Sequence, residues 1–235
     1  MATATINDKI KPIQEKLVGI LTDAGWRDKL KTFVLAGEME VILQELYLCS
    51  QNKQRFVPQV KDIFNCFKEC PYEALKVIIV GSEPYDIITP EGGVLATGLA
   101  YSHKDVLYNK QSMPVNKYLR EAAGDESANS DLIRWANQGV LLLPVSLTRV
   151  LNSKRSQALL YQPFISFVLD MLNSVNQGLI FVFIGDQAKE YRDIISQRRH
   201  FTFTLPDPSK DWDGPKIFKA IDEILMEYFQ TTITW

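Results

Sequence analysis

Residues 78–88 read IIVGSEPYDII: an apolar run stops at Gly81 and turns through Ser82, Glu83, Pro84, Tyr85 and Asp86. Carboxylates at the end of a strand can orient a water or take its proton, and a tyrosine offers a flat face to a planar ligand. Two further turns have comparable contents, LPVSLT around Pro144 and LPDPSKD with Asp207 and Ser209. Taken singly, each is also ordinary turn chemistry, because Gly, Pro, Asp and Ser build turns wherever strands end.

The elements that must position these turns show in the hydrophobic periodicity. Leu17, Ile20 and Leu21, then Leu43, Leu46 and Leu48, recur at near-helical spacing, and VKDIFNCFKECP predicts one more helix with Ile63, Phe64 and Phe67 on its apolar side. LKVIIVG at 75–81, GVLLLPV at 139–145 and GLIFVFIG at 178–185 are short continuous apolar runs, the pattern of parallel strands buried on both faces. HFTFTLP at 200–206 alternates like a final strand. QPFISFVLDMLNSV and KIFKAIDEILMEYF read as helices, and DQAKEYRDIISQ as a helix with Asp186 at its N-cap. The alternation predicts an α/β fold with a central, mostly parallel four-stranded sheet flanked by helices, one domain over residues 1–235 with 1–25 as a helical N-terminal extension. Such sheets bind ligands outside the carboxyl ends of their strands, so the three turns are expected to meet over one site.

Composition narrows the function classes. With 26 Lys and Arg against 28 Asp and Glu the formal charge is −2, so no global basic field points to nucleic acid. Cys49, Cys66 and Cys70 have no disulfide-framework spacing, and His103 and His200 form no cluster with them or each other, so reduced thiols and no metal site are expected. The start MATATINDKIKPIQ lacks the charged-then-apolar layout of a secretory signal, and no apolar run approaches about 18 residues; an intracellular protein, neither secreted by that route nor spanning a membrane, is the expectation. The absence of GxGxxG, or of GxxxxGK followed by Ser or Thr, speaks against a nucleotide-binding protein of unrelated chemistry.

The joint occurrence of the motifs resembles the uracil-DNA glycosylase superfamily. Its first motif reads GQDPYH after a strand like VKVVILG, where this chain has LKVIIVGSEPYD. Trp26 and VPQVKDIFNCFKECP match upstream; GLAYS at 98–102 is similar to GLxFS, NQGVLLLPVSLT at 137–148 to NQGVLLLNxVLT, LIFVFIGDQAKEY to VVFLLWGSxAQ, and PDPSK at 206–210, after Arg199 and His200, to PHPSP. The resemblance runs from about Trp26 to the C-terminal helix.

It implies an enzyme that flips uracil out of DNA and hydrolyses its glycosidic bond without metal or cofactor. Glu83 stands at the water-activating aspartate and Asp207 at the catalytic histidine. Ser82, Tyr85 and Asp86 follow the first motif, with Tyr85 at the tyrosine that blocks thymine and Asp86 at a second histidine. Tyr101 replaces the phenylalanine that stacks on the base, behind an insertion of five residues. Pro144 replaces the asparagine that pairs with the uracil edge. Ser102 and Ser209 match phosphate-gripping serines, while Lys210 and Trp212 fall where the family carries its leucine wedge loop, Trp212 being a substitute wedge or simply a packed side chain. Glu83 is one methylene longer than aspartate, proline offers no amide, and a carboxylate at 207 faces a base becoming anionic. These changes imply a degenerate site, weak or inactive in uracil excision, in a pseudoenzyme that binds DNA or a protein partner. The alternative is an active monofunctional glycosylase of base excision repair acting on uracil or another base.

Overall fold

The computed structural model describes residues 6–104, 113–127, 129–175 and 178–235. Three helices come first: α1 (Ile6–Ile20), α2 (Ala24–Val34) and α3 (Gly37–Gln51). Strand β1 (Phe56–Val57) and the short helix α4 (Asn65–Glu69) lead to β2 (Val77–Gly81). Helices α5 (Pro114–Ala123) and α6 (Ile133–Asn137) precede β3 (Val140–Pro144) and β4 (Arg149–Val150). Helix α7 (Ala158–Val175), β5 (Ile180–Ile184), α8 (Asp186–Lys189), β6 (Phe201–Leu205) and α9 (Gly214–Ile224) complete the order.

The main sheet has four parallel strands in the order β3-β2-β5-β6, as the apolar runs imply. Every residue of β2, β3 and β5 is buried, which is why VIIVG, VLLLP and IFVFI carry no polar alternation. Strand β6 lies at an edge and keeps the alternation of FTFTL. The chain steps from β2 to one side for β3, then crosses to the other side for β5. The strand order therefore reverses between β2 and β5, and a crevice opens at their carboxyl ends.

Helix α1 packs on α3, α2 and α3 pack on α7, and α5 packs on α9. The described part of the N-terminal segment belongs to the main core: Ile10, Leu17 and Leu21 join the cluster that runs through the sheet to Trp235, while residues 1–5 lie outside the described residues. Asp23 caps α2 by accepting from the Trp26 amide at 2.9 Å, and the Trp26 indole donates to the Cys70 carbonyl at 2.7 Å. The three cysteines are free and buried, and burial pushes the Cys70 thiol up to about 12. No helix among the described residues is long and apolar enough to cross a membrane.

Several elements differ from the periodicity. The segment 60–71 is not one helix but a 3-10 turn at Val60–Asp62 followed by the five residues of α4, although Ile63, Phe64 and Phe67 are buried as expected. Asp186 is the first residue of α8 and does not cap it; Gly185, at φ +89°, occupies the cap. Helix α7 begins before Gln162 and carries Pro163 inside it. Helix α5, with Pro114 in its first turn, and the antiparallel pair β1 with β4 have no counterpart in the sequence reading. The inserted segment folds into a small hairpin, with the Thr89 amide donating to the Gly93 carbonyl at 2.8 Å and Val94 and Ala96 packed on Val57.

Candidate active site

A cavity of about 360 Å³ lies at the crevice between β2 and β5. Its wall is Gly81 to Asp86 from the turn after β2, Ile184 to Ala188 from the turn after β5, Asp207 from the turn after β6, and Arg149 and Val115. Two of the three expected turns thus line it directly. The third, LPVSLT, lies behind the first and supplies partners to it.

Glu83 is the most tightly organised of these residues. Its side chain is only 7% exposed, so it is not a freely solvated turn residue. Oε1 accepts from the Gln157 amide at 2.8 Å and the Ser156 hydroxyl at 2.9 Å. The Ser146 hydroxyl lies 3.1 Å from the same oxygen and 2.7 Å from the Thr148 carbonyl, so its single proton is shared between them. Oε2 faces Arg149 at 3.7 Å, and the same guanidinium reaches Asp86 at 3.4 Å. A carboxylate this buried is held in one orientation by charge-assisted donors.

Tyr101 explains Gly81. The tyrosine is buried in a left-handed conformation at φ +62°, and its hydroxyl donates to the Ile184 carbonyl at 3.0 Å, so its ring spans from the end of β2 to the end of β5. A Cβ on Gly81 would come 2.0 Å from that ring, so only glycine fits there. Burial, and then the nearby Asp207 carboxylate, hold the Tyr101 phenol well above its ordinary range, which keeps it protonated as a donor. Tyr101 underlies the cavity and does not line it. Tyr85 does line it, standing edge-on to His103 with ring centroids 5.9 Å apart, and burial raises its phenol too.

Asp207 sits differently. It is an exposed residue whose carboxylate lies against Gly185: a Cβ there would come 2.5 Å from Oδ1. Among the described residues no cation pairs with it within 4.0 Å, whereas Asp186 beside it pairs with Lys189 at 3.2 Å. Pro144 ends β3, buried and in register with Gly81, and contributes no polar group to the cavity. Ser82 is half-buried in the wall.

The outer residues divide. Ser209 and Lys210 are exposed just beyond Asp207. Ser102 is not available to a phosphate: it is buried, donates to the Asp131 carbonyl at 2.6 Å and lies 2.5 Å from the Thr97 hydroxyl. Trp212 is half-buried and packed over Gly214, where a Cβ would come 2.4 Å from the indole, so it is a packing residue and not a presented wedge. Arg149, Ser146, Ser156, Gln157 and the turn GDQA after β5 are not among the site residues expected from the sequence. The turn follows from the rule that sites lie at carboxyl ends of strands; the others reach Glu83 from 63 to 74 residues away and leave no local signal. Among the described residues no group of His, Cys, Asp and Glu could hold a metal ion.

No family model matches the chain. Among curated proteins, a uracil-DNA glycosylase of Haemophilus influenzae (strain ATCC 51907 / DSM 11121 / KW20 / Rd) is 33% identical over 221 residues, covering 89% of this chain and 98% of that protein. One from strain 86-028NP is 35% identical over 173 residues, covering 71% and 76%. A uracil-DNA glycosylase of Acinetobacter baumannii (strain ACICU) is 28% identical over 231 residues, covering 94% and 95%. Among solved structures, mimivirus uracil-DNA glycosylase superposes with a TM-score of 0.81 at 22% identity, covering 93% of this chain and 88% of that one. A second mimivirus structure, in complex with UGI, gives 0.82 at 21%, covering 92% and 89%; both share the fold. With the crevice, its turns and these relatives together, the chain belongs to the uracil-DNA glycosylase family.

Proposed function

We propose that this protein hydrolyses the N-glycosidic bond of a base in DNA, with Glu83 as the carboxylate that orients the attacking water and faces the positive charge growing on the sugar. The observation that carries this reading is the setting of Glu83: buried at a cavity wall, fixed by Gln157, Ser156 and Ser146, with Oε2 turned to Arg149. Burying a carboxylate is costly unless it is fully partnered, and this partnering fixes a catalytic group to well within the tolerance such chemistry demands. It also answers the concern raised by the extra methylene of glutamate, because the longer side chain is anchored by its own set of donors. The names of the curated relatives support the same reading over the pseudoenzyme that the altered motifs imply.

Pro144 brings no amide to the base, and Asp207 cannot stabilise a departing anion. These two positions favour a second reading, in which the protein engages DNA or a protein partner without excising uracil. Ser209 and Lys210, which follow Asp207 in the chain, are exposed, as a phosphate contact requires.

The test is release of uracil from a single-stranded oligonucleotide at stoichiometric protein, where no base pair has to be opened. The glycosylase reading predicts slow release above the protein-free control, faster by about tenfold or more in a Pro144→Asn, Asp207→His variant as polar recognition is restored. Release by that variant alone would select the second reading for uracil.

A further inference from the structure

Among the described residues four carboxylates line the cavity, Glu83, Asp86, Asp186 and Asp207, against one cation, Arg149, whose guanidinium is already engaged by Glu83 and Asp86. Among the described residues no histidine or lysine is in the wall. His200 lies at the opposite end of β6, packed on Phe181, and His103 stands behind Tyr85. On the side of Gly185 the carboxylate of Asp207 is the polar group that a flipped base would meet, with no counter-ion among the described residues.

A base that departs as an anion is repelled by this surface. A base that is cationic before cleavage is attracted by it, and departs neutral. From this we propose that the preferred substrate is a nucleotide whose base carries a formal positive charge, the chemical class of ring-N-alkylated bases, with Asp207 as the residue that selects it. The proposal rests on the glycosylase reading and adds the charge of the leaving group to it. The electron pair of the C1′–N bond goes to the base and cancels its charge; a water oxygen bonds to C1′, and the proton it loses passes through Glu83 to solvent. No donor to the leaving base is required, which accounts for both the absent histidine and the absent amide at Pro144. The carboxylates of Glu83 and Asp86 are closed onto Arg149, while Asp207 lines the cavity against Gly185 with no cation partner among the described residues.

Single-turnover release is measured from single-stranded oligonucleotides of one sequence carrying N7-methylguanine, N3-methylcytosine or uracil, each corrected for spontaneous loss without protein. Release of at least one cationic base about tenfold or more faster than uracil is expected, the purine or the pyrimidine winning according to the room in the cavity. Asp207→Asn should reduce that preference by about tenfold, and Asp207→His should invert it toward uracil. Thermal unfolding of both variants checks that they are folded. Uracil released faster than either cationic base overturns the proposal and leaves the glycosylase reading standing. Release of none of the three overturns both. A cationic preference that survives in both Asp207 variants removes the assigned role of Asp207.

Discussion

The turn after β2 and the turn after β6 each present a carboxylate to the same cavity, yet they are built in opposite ways. Glu83 is buried, receives three donors on one oxygen and faces an arginine with the other. Asp207 is exposed, without a counter-ion among the described residues, and pressed against the bare Cα of Gly185. Two acids of equal charge are thereby given different tasks. In the proposed reading the first orients water at the sugar, and the second faces the departing base and selects it by charge.

Variants around the two turns break this comparison to different degrees. Gly81→Ala has the largest expected effect on the fold, because the new methyl meets the Tyr101 ring that anchors β2 to β5; overpacking of this kind costs about 3 kcal/mol, read as a lower denaturation midpoint. Arg149→Met leaves Glu83 and Asp86 without their shared cation, and a loss of about 2 kcal/mol in the same measurement is expected. Ser156→Ala removes one donor from Glu83 and should cost about 1 kcal/mol and slow single-turnover release, while leaving the ratio between bases where Asp207 sets it.

The smallest effect is a pH dependence away from the cavity. Burial holds His200 below its ordinary pKa of 6.5, so the unfolded chain binds a proton at higher pH than the folded one does. Stability is therefore at its full value above about pH 6.5 and falls as pH drops through that value toward the lower folded pKa. His200→Gln should flatten the melting temperature over this interval.

The same contrast governs what the sequence discloses. Strands β2, β3 and β5 are legible because a strand buried on both faces must be apolar throughout, and GSEPYD is legible because a polar turn stands directly after one of them. Helix α8 and the pair β1 with β4 are too short for any period to register, and α5 starts at a proline that reads as a turn. At the site, residue types point to Glu83 and Asp207, but only the fold separates them. The partners of Glu83 come from the turn after β3, from β4 and from the two residues before α7, and nothing in a local pattern distinguishes Ser156 at the carboxylate from Ser102 buried in its own hydrogen bonds. Trp212 shows the same ambiguity, since a large apolar residue in a loop can either insert into DNA or cover a glycine, and here it covers Gly214.

The most direct measurement is single-turnover uracil release by Glu83→Gln and Asp207→Asn side by side with the unaltered protein. If Glu83 is the catalytic carboxylate and Asp207 the discriminating one, Glu83→Gln lowers the rate by about 10²–10⁴, whereas Asp207→Asn raises it by removing the charge that opposes a departing anion. A Glu83→Gln protein as fast as the unaltered one, or an equal loss in both variants, would contradict the division of roles between the two turns.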